Sequence, residues 1–167
     1  HRALQAASSP HLAQLVLSVP GGGAYAMRPA IDGLFEYFDD MSNYLGSNLY
    51  GEVYMRLAYA LIPRTDENLP LYFGAITSYL ANDYDSLERN NNVHDWTPAL
   101  PVHMFHGRDD RNRPYAAAAR TLQVMQARGA TKVTVTDCDA TPSSHLGCVQ
   151  PYFTYMLGEI SAVARDL

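Results

Sequence analysis

The chain is 167 residues long, 47% hydrophobic and only 17% charged, with a formal net charge of −5. That much apolar material can bury a core and excludes a disordered segment, and the acidic balance removes the electrostatic basis for binding nucleic acid. No apolar run approaches the roughly 20 residues that a membrane-spanning helix needs.

The first residues, His1-Arg2-Ala3-Leu4-Gln5-Ala6-Ala7, read as the inside of a helix with no cap before it. With neither an initiator Met nor a secretion-signal pattern, the folding unit is expected to begin ahead of His1. The helix should stop near Ser8-Ser9-Pro10. Leu12 to Val19 is a mostly apolar run ended by Pro20 and Gly21-Gly22-Gly23, which predicts a strand buried on both faces, as in parallel sheets. The three glycines lack the ending of a phosphate loop and the spacing of a dinucleotide fingerprint, so they are read as a loop leaving the sheet, and no cofactor is implied.

From Ile31 to about Leu87 the pattern is helical and rich in aromatics: Ile31, Leu34, Phe35 and Phe38, then Tyr50, Val53, Tyr54, Leu57 and Leu61, then Tyr72, Ile76 and Leu80. Three or so helices without a strand are expected, their tyrosines either lining an apolar groove or packing an ordinary core. Asn90-Asn91-Asn92 and Asp95-Trp96-Thr97-Pro98 form a polar connection. Leu100 to Gly107 predicts a second strand. Pro114 to Gly129 is the clearest helix, with Pro at its first turn, an alanine run and Gly129 placed to end it. Lys132 to Thr136 predicts a third strand. Pro151 to about Arg165 predicts an amphipathic helix with Phe153, Met156, Leu157 and Ile160 on one face.

Strands separated by helices imply parallel, right-handed crossover units. Three strands make a thin doubly wound sheet, and the first helix lacks a strand before it, so the chain reads as the C-terminal half of an α/β unit. Cys138 and Cys148 are either two buried free thiols or a disulfide. The disulfide is favoured because the segment between them is short, polar and loop-like. Such a staple is worth about 2.5–3 kcal/mol by loop entropy and belongs to an oxidising compartment, secreted or periplasmic.

Functional groups of open parallel sheets sit beyond the carboxyl ends of strands. The second strand runs into His106-Gly107-Arg108-Asp109-Asp110-Arg111-Asn112-Arg113-Pro114, and the third into a loop that carries His145 between the two cysteines. A carboxylate that orients an imidazole needs this arrangement, and Asp followed by His is the order of the second and third members of an α/β-hydrolase triad. His103 and His106 do not suggest a metal site, because strand geometry points them to opposite faces and no third ligand follows. His106 is read as support for the turn presenting Asp110. Cys148 as a thiol nucleophile is a weak reading, since Cys–His pairs usually come from distant segments.

His-Gly-x-x-Asp-x-x-(apolar)-Pro after a buried strand is a feature of α/β-hydrolase esterases, lipases and related peptidases. This chain resembles them through His106-Gly107-x-x-Asp110-x-x-Arg113-Pro114, departing at Arg113, where a small apolar residue is usual. The resemblance covers roughly residues 1–30 and 98–167. It implies an α/β-hydrolase fold, C-terminal part, with a core over 1–30 and 91–167 and a helical lid or cap over 31–90. It implies Asp110 as the triad acid, with Asp109 the fallback, and His145 as the base. No Gly-x-Ser-x-Gly occurs in the sequence, so the serine nucleophile and the oxyanion donors are expected upstream of residue 1, and these residues alone should be inactive. The implied activity is hydrolysis of a lipid or short-chain ester, completed by an N-terminal half from the same or a companion chain. The alternatives are a serine peptidase of the same fold and a non-catalytic interaction domain with hydrolase-like topology.

Overall fold

In chain order the elements are α1 (Arg2–Ala6), a 3-10 helix (Pro10–Gln14), α2 (Tyr84–Asn91), β1 (Val102–His106), α3 (Tyr115–Ala127), β2 (Val133–Asp137) and α4 (Val149–Val163). They come from a computed structural model that describes residues 1–23, 25–33, 36, 75, 77–91 and 93–164. β1 and β2 pair in parallel, Val102 opposite Val133 and His106 opposite Asp137, so α3 is the crossover that the βαβ order demands.

The two faces of β1 pack differently, as the pleat requires. Val102 and Met104 point toward α3 and share a buried cluster with Met125, Ala130 and Val133. Phe105 faces the other way, clustering with Cys138 and Cys148 and with the half-buried Tyr152 and Tyr155 of α4. The start of α4 is therefore tied to the sheet by aromatics and by the disulfide together.

The end of α3 is set by Gly129, whose φ of +88° suits a residue without a Cβ. Its N–H donates to Gln126 O, and the Ala130 N–H donates to Met125 O. This is the double bond of a Schellman motif, and Met125 and Ala130 lie in one apolar cluster as that motif favours.

The expected first strand, Leu12 to Val19, is corrected by the structure. Its first residues form the 3-10 helix, begun by Ser9, whose hydroxyl accepts from the His11 N–H. Only the later residues run beside β1, through isolated parallel bridges at Ser18–Val102 and Gly21–Phe105. Pro20 is the physical reason. The Ser18 and Gly22 N–H groups donate to Pro101 O and Phe105 O, while Ser18 O and Pro20 O accept from His103 and Phe105. Pro20, lying between, has no N–H to give, so the ladder lacks its middle rung. The run is not buried on both faces either, since Val16 is 58% exposed.

The terminal helix forms as expected but presents its apolar stripe outward: Phe153, Leu157 and Ile160 are 52%, 58% and 45% exposed. Its inward face is built instead from Tyr152, whose hydroxyl donates to Val19 O at 2.8 Å, and Tyr155, stacked on Phe105 with ring centroids 5.1 Å apart.

Of the block expected to be helical over 31–90, residues 27–33 and 77–80 and α2 are helical. Ile31, Ala75 and Leu87 share a buried cluster with Met27, Tyr79 and Tyr84 packed on it. Leu34, Phe35, Phe38, Tyr50, Val53, Tyr54, Leu57, Leu61, Tyr72 and Ile76 lie outside the described residues, as does most of the expected cap. No helix among the described residues is long and apolar enough to cross a membrane.

Candidate active site

The loop after β1 is wound around one carboxylate. Asp110 is only 5% exposed, and its two oxygens have separate partners. Oδ1 accepts from the backbone N–H of Asn112 at 2.9 Å and of Arg113 at 2.8 Å, a side-chain turn of the kind aspartate favours. Oδ2 is left to face His145. The buried His106 closes the turn from below: its Nε2 contacts the Arg113 carbonyl oxygen and lies 3.6 Å from Asp110 Oδ2. Because a carbonyl can only accept, Nε2 carries the ring proton in that contact. The rings of Tyr25 and Tyr115 meet His106 edge-on, at 6.2 and 5.9 Å. Burial pushes the Tyr25 hydroxyl up to about 12, so it stays neutral. At position 113 the backbone N–H and carbonyl make these bonds, while the Arg113 Nη1 donates to the Asn112 carbonyl oxygen at 2.7 Å.

The loop after β2 has little regular structure of its own. The Cys138–Cys148 disulfide, with Cα atoms 6.0 Å apart, closes it, and the Cys148 N–H donates to Ser144 O. Within this closed loop His145 presents Nδ1 to Asp110 Oδ2 at 2.7 Å. The geometry fits an Nδ1–H donated to the carboxylate, which leaves Nε2 as the nitrogen able to exchange a proton. The acid side chain is 2% exposed and the imidazole 35%, so a buried charge orients a ring that solvent or a substrate can reach.

Two further contacts join the loops. The Asp109 N–H donates to Ser143 Oγ at 3.1 Å, while Asp109 Oδ2 accepts from the Ser143 N–H and hydroxyl, both at 2.9 Å. These bonds hold the Asp109 carboxyl below its usual range, the Ser143 backbone N–H contributing most. Beside them, a Cβ at Gly107 would collide with the Ser143 carbonyl oxygen and lie 2.9 Å from Cys148 Sγ. Arg108 and Tyr115 both bond Asp137 at the end of β2, at 2.7 and 2.6 Å, bracing the acid loop on its outer side.

A cleft of about 110 Å³ opens over His145, lined also by Gly21, Gly22, Phe105, Asp110, Val149 and Tyr152. It is smaller than the roughly 300–1,000 Å³ of ordinary small-molecule sites. Gly22 has φ +55°, and a Cβ there would come within 3.2 Å of His145 Cε1, so a side chain at this position would press on the imidazole. No group of three or more His, Cys, Asp or Glu side chains converges as a metal site among the described residues.

Of the expected site residues, Asp110 and His145 are brought together and Cys138 and Cys148 are bonded. Asp109, the fallback acid, points to Ser143 instead. The expectations missed Ser143 and Gly22. The glycine triplet signalled a backbone constraint after the first apolar run. Nothing local signalled a partnership between residues 34 positions apart.

The parallel two-stranded sheet with its crossover helix has the architecture of part of an α/β-hydrolase-like fold. A mutant form of the rice cell wall degrading esterase LipA from Xanthomonas oryzae is similar in structure, with a TM-score of 0.52 and 18% identity. The match covers 96% of this chain and 51% of that one, so the chain spans about half the length of the structure it resembles. A Legionella pneumophila protein described as a hydrolase aligns over 93% of this chain and 53% of its own, at TM-score 0.48 and 15% identity. No family model matches the sequence, and no curated protein does.

Proposed function

We propose that this chain supplies the acid and the base of a Ser-His-Asp triad in a secreted carboxylic-ester hydrolase, an esterase or lipase. The observation that carries the reading is the 2.7 Å contact from His145 Nδ1 to the buried Asp110. In this reading a serine ahead of residue 1 attacks the ester carbonyl while His145 Nε2 takes its proton. The imidazolium returns that proton to the leaving alcohol, and a water repeats the cycle to free the acid. Asp110 fixes the tautomer and stabilises the imidazolium without itself being protonated. The phosphate- and metal-free character of this chemistry means no cofactor enters it.

The small cleft is one wall of the full site in this reading. Residues 31–90 form the cap that binds the acyl chain of a lipid or short-chain ester. The N-terminal half of the fold covers the exposed stripe of α4 and supplies the oxyanion donors. The disulfide supports a secreted or periplasmic location.

The test is to express residues 1–167 together with the coding sequence that precedes them and assay p-nitrophenyl esters of two to twelve carbons beside a peptide anilide. Ester hydrolysis is expected, falling ~10³–10⁴-fold in His145→Ala and Asp110→Asn. Activity unchanged in His145→Ala would sink the reading, and turnover of the anilide alone would replace it with the peptidase.

A further inference from the structure

We infer that Asp109 and Ser143 act as positioning residues, a reciprocal clamp that sets the distance between the acid loop and the histidine loop and so keeps His145 in the tautomer that Asp110 needs. The inference rests on the triad reading of the same site.

The two loops grow from neighbouring strands, and their first residues are in register because His106 pairs with Asp137. Beyond the strand ends that register no longer constrains them. Asp110 is fixed within its own loop, as its Oδ1 bonds show. Nothing comparable fixes His145 locally. The disulfide ties its loop to the start of α4 and so limits its spread, but the bond joins two residues of that one loop and has no hold on the acid loop.

The clamp provides that hold. It sits one residue before Asp110 and two before His145, and it uses three hydrogen bonds between one carboxylate, one hydroxyl and two backbone N–H groups. Ser143 is 5% exposed while Asp109 is exposed, so removing the carboxylate leaves the buried Ser143 N–H and hydroxyl without this acceptor. Bonds to an ionised acceptor are the stronger kind. A shift of about 1 Å in a catalytic pair costs on the order of 100-fold in rate, so a loop spacing held by such bonds has a large kinetic lever.

The experiment reads His145 directly. Imidazole ¹⁵N shifts are measured on the chain expressed together with the coding sequence that precedes residue 1, for the wild type, Asp109→Ala, Ser143→Ala and Asp109→Asn, with melting curves and thiol titration alongside. The wild type should show one Nδ1–H form. Asp109→Ala and Ser143→Ala should lose it to a mixture of tautomers while still folded and disulfide-bonded. Asp109→Asn keeps an acceptor oxygen and should restore the single form. In the longer active chain the two alanine variants should lose about 10- to 100-fold in kcat, with KM within about twofold.

A lowered melting temperature with the Nδ1–H form and kcat intact would overturn the clamp's role and leave it as mere support. If the alanine variants do not fold, Asp109→Asn decides: a mixed tautomer there also overturns the inference. Loss of the triad reading looks different, because His145→Ala would then leave ester hydrolysis untouched whatever the tautomer data show.

Discussion

Residues 107–113 hold Asp110 with bonds made almost wholly inside the loop: two backbone N–H groups on Oδ1, and His106 bridging to the Arg113 carbonyl. Residues 138–148 hold His145 with a disulfide that closes the loop on itself and with bonds that leave it, from Ser143 to Asp109. The bonds on Asp110 Oδ1 are local to the acid loop, although Arg108 and Asp109 also reach out of it to Asp137 and Ser143. The histidine loop is positioned by its neighbours. A loop held by distant partners fails when any one of them is lost.

The largest effect that would break this contrast is removal of the disulfide. Replacing Cys138 and Cys148 with alanine should lower stability by about 2.5–3 kcal/mol in denaturant titrations. Hydrogen exchange should then show residues 139–147 losing protection while the amides of Asn112 and Arg113 keep theirs. Equal loss in both loops would mean they are one cooperative unit, and the contrast would fail.

Gly22→Ala is a sharper probe, with Gly129→Ala as its control. Both glycines have positive φ, +55° and +88°, but a Cβ at Gly129 meets nothing within 4 Å while one at Gly22 reaches His145. The control should cost only the backbone term, about 1–2 kcal/mol. Gly22→Ala should cost more than the control and shift the His145 ring resonances, which the control leaves in place. Equal costs with no ring shift would remove Gly22 from the histidine's support.

The smallest effect concerns pH. Asp109 titrates below its usual range in the folded chain, so its contribution is fully present above the unfolded value of about 3.9 and is lost as pH falls through the lower folded value. The stability gap between wild type and Asp109→Asn should be flat from pH 7 to about 5 and change only below about pH 4. A gap that varies near neutrality would show that another group controls the clamp.

Much of the fold could be read in the chain itself. β1, β2 and α3 follow from short apolar runs, an alanine-rich segment and Gly129, and all three are local patterns whose boundaries the structure moves by a residue or two. The acid and histidine loops could be located too, because strand ends are where such groups collect. The first apolar run misled: its hydrophobicity suggests a full strand, but composition does not weigh one missing N–H, and Pro20 interrupts the ladder. The apolar stripe of α4 misled less, since periodicity identifies a face without saying what it meets.

The sequence by itself determined that Asp110 and His145 follow successive strands, that a pair of cysteines brackets the histidine, and that a helix links the two strands, because each depends on neighbours in the chain. Only the tertiary structure decided that Asp109 turns to Ser143 while Asp110 turns to His145, that a side chain at Gly22 would press on the imidazole, and that Tyr152 and Tyr155 rather than the stripe of Phe153, Leu157 and Ile160 hold α4 to the sheet. Those outcomes depend on which side chains meet across tens of residues. A hydrogen bond's energy falls away within an ångström or so of its ideal geometry, and no pattern along the chain encodes that distance.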